Sequence, residues 1–119
     1  MNQHSSFDRK SYFYPDLPMG YQITQLFAPT CTDGQVTFLD ESYQQTHHVH
    51  IRDAHMETDT AKVIHAQGES MLDYNRAGTP LVEVVTGPDF HSTAEVVAFL
   101  KEMQRIARYN DISDADMEK

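Results

Sequence analysis

Residues 72–88 read LDYNRAGTPLVEVVTGP, and this stretch indicates how the chain folds. A polar trio, Asp73, Asn75 and Arg76, stands just before a glycine and a proline, which are typical turn residues. A run rich in β-branched residues follows at 81–86, as expected of a strand, and contains one carboxylate. The pattern predicts a polar loop set on the end of a buried strand. Loops fixed by a rigid scaffold often carry the chemistry of a protein.

Working outward from this stretch, the chain is predicted to form a twisted antiparallel sheet with helices. The predicted strands cover residues 22–27, 35–39, 46–52, 71–75 and 81–86, with turns at 32–34 and 40–42. In strand 46–52, Val49 and Ile51 share one face and His48, His50 and Arg52 share the other. Residues 7–21 are rich in aromatic residues and proline and are interpreted as an ordered, irregular loop. Residues 59–66 are predicted to form a short helix that Gly68 ends.

The clearest predicted element is a helix that begins after Ser92 and ends near Tyr109. Ser92 is a plausible N-cap, and Glu95 three residues later completes a capping box. Apolar residues then recur at helical spacing, which predicts an apolar stripe that packs on the sheet: Val96, Phe99, Leu100, Met103, Ile106 and Ala107.

Length and composition limit the chain to one modest domain with a small core. It has 119 residues, 39% hydrophobic content and a mean hydropathy of -0.56. The net charge is -9 and the pI is about 5.0, which argues against an autonomous nucleic-acid binder. Cys31 is the single cysteine, so no internal disulfide forms. No apolar run reaches membrane-spanning length, residues 1–6 lack a signal core, and we expect a cytoplasmic protein without a membrane partner.

An acidic segment after the predicted strand 46–52 is a candidate metal site. Alternate residues of an extended chain project to one face, so His55, Glu57 and Asp59 would converge. Carboxylates in this arrangement suit Mg²⁺ or Mn²⁺, which prefer oxygen ligands. The alternative is a solvated polar strand end, which spacing alone favours.

The polar loop also has two interpretations. In the first, Arg76 binds the phosphate of a nucleotide or of a nucleic-acid terminus, since its planar fork suits phosphate. In the second, Arg76 forms an ion pair with Asp73 or Glu83 while Asn75 caps the turn before Gly78. The residues alone do not decide between them.

A zinc site and a catalytic nucleophile are both disfavoured. His48 and His50 share a strand face, but zinc needs three or four ligands, and a solvated strand is the preferred interpretation. Cys31 lies in a predicted turn without an obvious base, and no G-x-S-x-G motif occurs.

Four blocks of sequence resemble one known family in the family's order. Residues 7–23, FDRKSYFYPDLPMGYQI, are similar to its FDRKNYFYPDLPKGYQI, and residues 73–83 match its D-x-N-R-x-G-x-P-L-x-E. Residues 55–62, HMETDTAK, stand where the family has H-x-E-E-D-A-G-K, and residues 112–118, ISDADME, resemble its VSDGNMEE. The chain therefore resembles, over nearly all its length, the B subunits of the aspartyl/glutamyl-tRNA amidotransferases and their archaeal relatives, the E subunits.

The resemblance implies a fold, an activity and partners. It implies part of a glutamine-synthetase-like cradle, an α+β fold in which helices pack on one face of an antiparallel sheet. Residues 1–119 would be a single partial domain from the interior of the catalytic domain. The family activates the carboxyl group of Glu-tRNA(Gln) or Asp-tRNA(Asn) with ATP and Mg²⁺ (or Mn²⁺), then amidates it with glutamine-derived ammonia. Its partners are the amidase (A) and small (C) subunits, or an archaeal-type D subunit, and tRNA binds through regions outside this chain.

The resemblance also implies roles for six residues. Glu57 and Asp59 are expected to be catalytic and to bind the metal. Arg76 and Asn75 are expected to bind ATP phosphate, with the tRNA terminus as a second possible contact of Arg76. Lys10 and Tyr12 are expected along the ammonia path, although Tyr12 read without the resemblance is an ordinary packed ring.

The chain also departs from the family pattern. Thr58 replaces the second glutamate, Ala61 replaces a glycine, and Gly87 stands where the family usually has glutamate. Residues 1–6 lack the family's G-L-E-V-H-like segment, and the S-x-R-C-D-x-N block does not follow. The alternative is therefore a non-catalytic fragment or degenerate paralogue that keeps the fold or a subunit interface. If Thr58 limits catalysis, Thr58→Glu in a complete assembly should raise ATP-dependent amidation.

Overall fold

The computed structural model describes residues 1–42 and 44–117 and confirms the α+β prediction. Glu118, the last residue of the 112–118 block, lies outside the described residues. In chain order the elements are β1 (Asp8–Ser11), β2 (Tyr21–Thr24), β3 (Cys31–Leu39), β4 (Thr46–Thr58), β5 (Lys62–Ala66), β6 (Glu69–Asp73), β7 (Pro80–Thr86) and α1 (Thr93–Tyr109).

The strands form three sheets, and the chain divides into two compact units. β1 pairs with β2 and β5 pairs with β6, both antiparallel, while the third sheet has the order β3-β4-β7. Unit 1 contains Met1–Gly34 and Ile51–Val85, and unit 2 contains Gln35–His50 and Thr86–Lys119. No helix in the described part of the chain is long and apolar enough to cross a membrane.

The predicted helix at 59–66 is wrong, because this stretch forms a β-hairpin. β5 and β6 pair from Lys62 opposite Asp73 to Ala66 opposite Glu69. The two residues between them, Gln67 and Gly68, have φ values of 51° and 81°. Two consecutive positive φ values are the geometry of the tight turn that joins twisted antiparallel strands. Gly68 therefore closes a hairpin instead of ending a helix.

Several other features differ from the prediction. β2 ends at Thr24, β4 extends to Thr58, and β6 covers Glu69–Asp73. The strand predicted to be buried, β7, is exposed at 80–83 and half-buried at 84–86. Residues 32–34 are not a turn but lie within β3, where Asp33 has a φ of 55°. Part of the loop predicted at 7–21 is strand β1, since its backbone pairs with β2 from Asp8 opposite Thr24 to Ser11 opposite Tyr21. The alternation in β4 is as predicted: Val49 and Ile51 are buried, and His48, His50 and Arg52 are exposed.

Helix α1 has the predicted bounds and N-cap. The Ser92 side chain accepts a hydrogen bond from the Glu95 backbone N–H at 3.2 Å, which satisfies a free donor of the first turn. Glu95 accepts in return from the backbone N–H of His91 at 2.9 Å, one residue before the expected position. The buried stripe is narrower than predicted, because Leu100 is 57% exposed and Ile106 is 36% exposed.

An aromatic cluster supplies the interior of unit 2. The ring of Phe99 lies edge-on to Phe38 and Phe90, with centroid distances of 5.8 and 5.2 Å. This geometry is favourable for aromatic pairs. Phe38 belongs to β3, so the contact packs α1 against that strand within unit 2.

The interior of unit 1 is unusually polar. Its buried apolar side chains are Leu17, Ile51 and Ala61, whereas its buried polar side chains are Gln22, Thr24, Gln25 and Glu57. Buried polar groups are costly unless they are hydrogen-bonded. The contacts that satisfy them define the candidate site.

Candidate functional site

Glu57 is a buried carboxylate held by side chains of strand β2. It lies near the end of β4 and is 8% exposed. Its Oε1 accepts a hydrogen bond from Thr24 Oγ1 at 2.9 Å, and its Oε2 accepts one from Gln22 Nε2 at 3.0 Å. Gln22 and Thr24 point the same way because side chains alternate along a strand. Hydrogen bonds donated to an ionised carboxylate are strong, so these two side chains of β2 fix the orientation of Glu57.

The imidazole of His55 lies between carboxylates. Its Nδ1 is 2.6 Å from Asp53 Oδ1, and its Nε2 is 3.1 Å from Glu57 Oε1 and 3.8 Å from Glu83 Oε2. Burial lowers the pKa of His55, but the hydrogen bonds with Asp53 and Glu57 and the charges of Glu57 and Glu83 outweigh it. The net effect is a pKa raised above the ordinary value of 6.5.

Three of these side chains form a candidate divalent-metal site, which we call the His55–Glu57–Glu83 cluster. Each offers one ligand atom, and these atoms lie within 4.8 Å of one another. It is the one such group within residues 1–42 and 44–117. Carboxylate oxygens suit Mg²⁺ and Mn²⁺, and an imidazole adds affinity for Mn²⁺ and other transition metals. Glu83 is half exposed, so the cluster is open to a ligand from solvent.

Asp59, which the sequence predicted would converge with His55 and Glu57, is not one of the three side chains that form the cluster. β4 ends at Thr58, so the alternation that aligns residues 55 and 57 does not extend to residue 59. Asp59 Oδ2 lies 3.6 Å from Arg76 Nε, and its backbone carbonyl accepts from the N–H of Gly78 at 2.8 Å. Its predicted role as a metal ligand stays a prediction.

Arg76 has neither of the ion-pair partners considered from the sequence, Asp73 or Glu83, among its described contacts. Its Nε is 3.6 Å from Asp59 Oδ2 and donates to the Thr60 carbonyl at 3.3 Å. Both contacts are made by Nε, and neither of them involves the two terminal nitrogens of the guanidinium.

The turn that carries Asn75 is capped by a different side chain from the one expected. Asp73 Oδ1 accepts from the backbone N–H of Asn75 at 2.9 Å, and Tyr74 O accepts from Ala77 N at 3.0 Å. Gly78 then takes a φ of 85°, a conformation that glycine adopts at little cost. Asn75 itself is exposed, and phosphate binding by its side chain stays a prediction.

Lys10 and Tyr12 lie near each other, and the charge of Glu57 acts on the Tyr12 phenol. Lys10 Nζ is 5.7 Å from the centroid of the Tyr12 ring. Burial and the negative charges of Asp16 and Glu57 together raise the pKa of the Tyr12 phenol above 10.0. The phenol therefore senses Glu57, although its place on an ammonia path stays a prediction.

The side chain and the backbone carbonyl of Thr58 are both bonded to β2. Its Oγ1 accepts a hydrogen bond from the backbone N–H of Ile23 at 3.2 Å, so the side chain is directed at β2. Its backbone carbonyl accepts from Gln22 Nε2 at 2.9 Å. The residue that replaces the family's second glutamate thus ties β4 to β2.

The histidine-rich segment at 47–50 has local partners. His48 Nδ1 is 2.9 Å from Thr37 Oγ1, and His47 stacks on Phe38 with centroids 5.4 Å apart. In the described ranges, the groups able to hold a metal include none of these histidines.

Sequence reasoning missed several contributors to this site. Glu83 was considered only as an ion-pair partner of Arg76, and Asp53, Gln22 and Thr24 were not considered as site residues. Asp53 could have been found from the sequence, because alternate residues of a strand share a face and Asp53 stands two positions before His55. Nothing in the sequence placed β2 against this segment.

Comparison with known proteins agrees with the resemblance. A family model described as "GatB/GatE catalytic domain" matches residues 1–119. The chain is 50% identical over 119 residues to the B subunit of the aspartyl/glutamyl-tRNA(Asn/Gln) amidotransferase of Ehrlichia ruminantium. It is 45% identical to the proteins of the same name from Clostridium beijerinckii and Thermomicrobium roseum, over 121 and 120 residues. These alignments cover 98–100% of this chain and 24–25% of each relative, so the chain spans about a quarter of their length.

Proposed function

Because the chain belongs to the GatB/GatE catalytic domain family, we propose that it forms part of the catalytic domain of a tRNA-dependent amidotransferase. The proposed reaction converts Glu-tRNA(Gln) to Gln-tRNA(Gln), or Asp-tRNA(Asn) to Asn-tRNA(Asn). The observation that carries the proposal is the His55–Glu57–Glu83 cluster, in a chain that matches the family over its whole length.

The reaction has two steps. ATP transfers its γ-phosphoryl group to the side-chain carboxyl of the glutamate or aspartate attached to the mischarged tRNA. This transfer gives ADP and an acyl phosphate. Ammonia attacks the acyl carbon, and inorganic phosphate leaves as the amide forms. Such phosphoryl transfer depends mainly on positioning and on stabilising charge. The ammonia would come from glutamine on an amidase (A) subunit, working with a small (C) subunit, or on an archaeal-type D subunit. We place the assembly in the cytoplasm.

The cluster would hold Mg²⁺ or Mn²⁺, and the bound ion would screen the negative charge of the ATP phosphates. The donor set supports this assignment, since it combines a buried, oriented carboxylate with an accessible one. Glu57 is the proposed central ligand, because Gln22 and Thr24 hold it in place before any ion binds. Asp59 is proposed to act from outside the cluster, through the water shell of the ion.

Arg76 and Asn75 are the proposed contacts to phosphate. The described bonds of Arg76 use its Nε, so the outer edge of its guanidinium is available for a bidentate phosphate contact. In a complete assembly we expect Arg76→Lys to raise the KM for ATP several-fold, because lysine cannot make the paired contact. An unchanged KM would remove Arg76 from the phosphate site.

Lys10 and Tyr12 are the proposed polar stations for ammonia. Two observations support this: Lys10 Nζ lies 5.7 Å from the centroid of the Tyr12 ring, and the charge of Glu57 acts on the Tyr12 phenol. A path that passes these two side chains would bring ammonia towards the activated carboxyl.

The test is a thermal unfolding experiment on the 119-residue chain with MnCl₂ alone and with ATP. A ligand at 100 times its Kd stabilises the folded state by about 2.7 kcal/mol. We expect both additions to raise Tm for the wild type and for the matched control Glu69→Gln, in which an exposed glutamate of β6 is changed. Glu57→Gln should lose most of the shift. Equal Tm values with and without ligand in all three proteins would contradict the metal and nucleotide roles.

A second candidate is a non-catalytic segment that keeps the fold or a subunit interface. Thr58 favours it, because a neutral side chain replaces a carboxylate of the family motif and faces β2. This candidate predicts that no Tm shift occurs with ATP and Mn²⁺. It also predicts that Thr58→Glu leaves amidation in a complete assembly unchanged.

A further inference from the structure

Asp53 is a carboxylate outside the metal-ligand set that contacts it directly. It lies on β4 two residues before His55, so the two side chains share one face of the strand. Its Oδ1 is 2.6 Å from His55 Nδ1, the shortest of the contacts that hold the imidazole. The Asp53 side chain is 27% exposed and the His55 side chain 12%, so solvent screens this contact only in part.

The contact has a consequence for the other ring nitrogen. A neutral imidazole carries one proton, and a carboxylate at Nδ1 retains that proton there by accepting its hydrogen bond. When a metal ion takes the place of the hydrogen bond between Nε2 and Glu57, Nε2 is left with its lone pair, and Nε2 is the atom that faces Glu57 and Glu83. Histidine ligands of metals usually donate their second N–H to such a partner, which fixes the tautomer and increases the basicity of the ligand.

We propose that Asp53 is a positioning residue that fixes His55 with its proton on Nδ1 and so presents Nε2 to a divalent transition-metal ion in the His55–Glu57–Glu83 cluster. The inference rests on the metal site of the proposed function. It gives this chain a mixed nitrogen and oxygen site, in which Mn²⁺ gains more than Mg²⁺ from the imidazole. It also gives the cluster a further carboxylate in a segment where Thr58 contributes none.

Metal affinity tests the proposal on the 119-residue chain. Free Mn²⁺ is measured by electron paramagnetic resonance while MnCl₂ is titrated into the wild type, Asp53→Asn, Glu57→Gln and the matched control Asp111→Asn. Asp111 is exposed with a φ of 55°, which asparagine tolerates, and it lies in unit 2. Partners of this kind typically contribute 10–100-fold to metal affinity, so we expect Asp53→Asn to weaken Mn²⁺ binding about tenfold. Competition with MgCl₂ should show a smaller loss for Mg²⁺.

A spectroscopic measurement keeps the proposal testable if Asp53→Asn folds poorly. Long-range ¹H–¹⁵N spectra of the wild type with ZnCl₂ report which nitrogen of each histidine bears the proton, and a His55→Gln sample identifies the His55 signals. We expect the proton on Nδ1 and the metal on Nε2. The opposite assignment would overturn the proposal.

The outcomes separate this proposal from the proposed function. If the wild type binds Mn²⁺, Glu57→Gln weakens it and Asp53→Asn stays within twofold, the metal site stands and the role of Asp53 is refuted. An equal loss for Mn²⁺ and Mg²⁺ would also refute it, since Asp53 would then act through its charge alone. If neither the wild type nor any variant binds Mn²⁺ above background, the proposed metal site is refuted, and the role of Asp53 is refuted with it.

Discussion

Replacement of Thr24 by valine tests how strongly β2 holds the buried carboxylate. Thr24 is 1% exposed, and its Oγ1 lies 2.9 Å from Glu57 Oε1. Valine has nearly the same branched shape as threonine, so Thr24→Val opens no cavity. The substitution removes one donor from Glu57 and places a methyl group against its oxygen.

The magnitude follows from the type of bond that is lost. A hydrogen bond to a charged group contributes about 1.5–3 kcal/mol, more than a neutral one. We expect Thr24→Val to lower the free energy of unfolding by about 2 kcal/mol, a large part of the roughly 5–15 kcal/mol typical of a domain. Thr24→Ser keeps the hydroxyl and loses one methyl group, which is worth about 0.8 kcal/mol.

Urea unfolding at 25 °C, followed by circular dichroism, measures these differences. Glu57→Met keeps the length of the side chain and removes both acceptor oxygens, so it completes a double-mutant cycle with Thr24→Val. Residues in direct contact show coupling energies of roughly 0.5–3 kcal/mol in such cycles, and we expect about 1 kcal/mol or more here. A coupling near zero, or equal losses for Thr24→Val and Thr24→Ser, would refute the reasoning.

Three further predictions concern other parts of the chain. The pKa of Tyr12, measured by NMR on ¹³C-labelled tyrosine, should lie above 10.0. Glu57→Gln should lower this pKa towards 10.0, because the substitution removes one of the negative charges that raise it. An unchanged pKa would show that Tyr12 is not coupled to the cluster. Since folding raises this pKa, the stability it contributes is complete below pH 10.0 and is lost as pH rises through the folded-state value. Ser92→Ala should cost about 1 kcal/mol in urea unfolding while Ser92→Asp restores most of it, and equal losses would show that the cap contributes little. Gly78→Ala should cost about 1–2 kcal/mol, because Gly78 has a φ of 85° with open space around it, and a neutral result would contradict that backbone strain.

Local signals predicted the fold only where they were long or unambiguous. Helix α1 was predicted with its cap because its apolar residues recur at helical spacing from Val96 to Ala107 and follow a capping serine. The hairpin β5–β6 was missed because each strand has only 5 residues. An apolar pattern this short fits the period of a helix as well as that of a strand. The positive φ of Gln67, which closes the turn, cannot be read from the residue type.

The candidate site was predictable along one strand but not between strands. His55 and Glu57 were found because alternate residues of β4 share a face, and Asp59 was added because the end of the strand at Thr58 was not foreseen. Glu83 joins them from β7, which lies beside β4 in the sheet order β3-β4-β7. Gln22 and Thr24 come from a sheet that pairs only β1 with β2. Neighbours of this kind depend on tertiary packing, which residue spacing does not encode.

The bonds between β2 and the end of β4 connect the candidate site to a strand that offers no ligand. Gln22 and Thr24 precede Glu57 by 35 and 33 positions, and the Ile23 amide is bonded to the Thr58 hydroxyl at 3.2 Å. Opening of β2 would therefore release Glu57, and an ion that holds Glu57 would oppose that opening. Deuterium exchange at the Ile23 amide would therefore report whether the proposed metal site is occupied. The exchange should slow when Mn²⁺ is added, although β2 supplies no ligand to the ion.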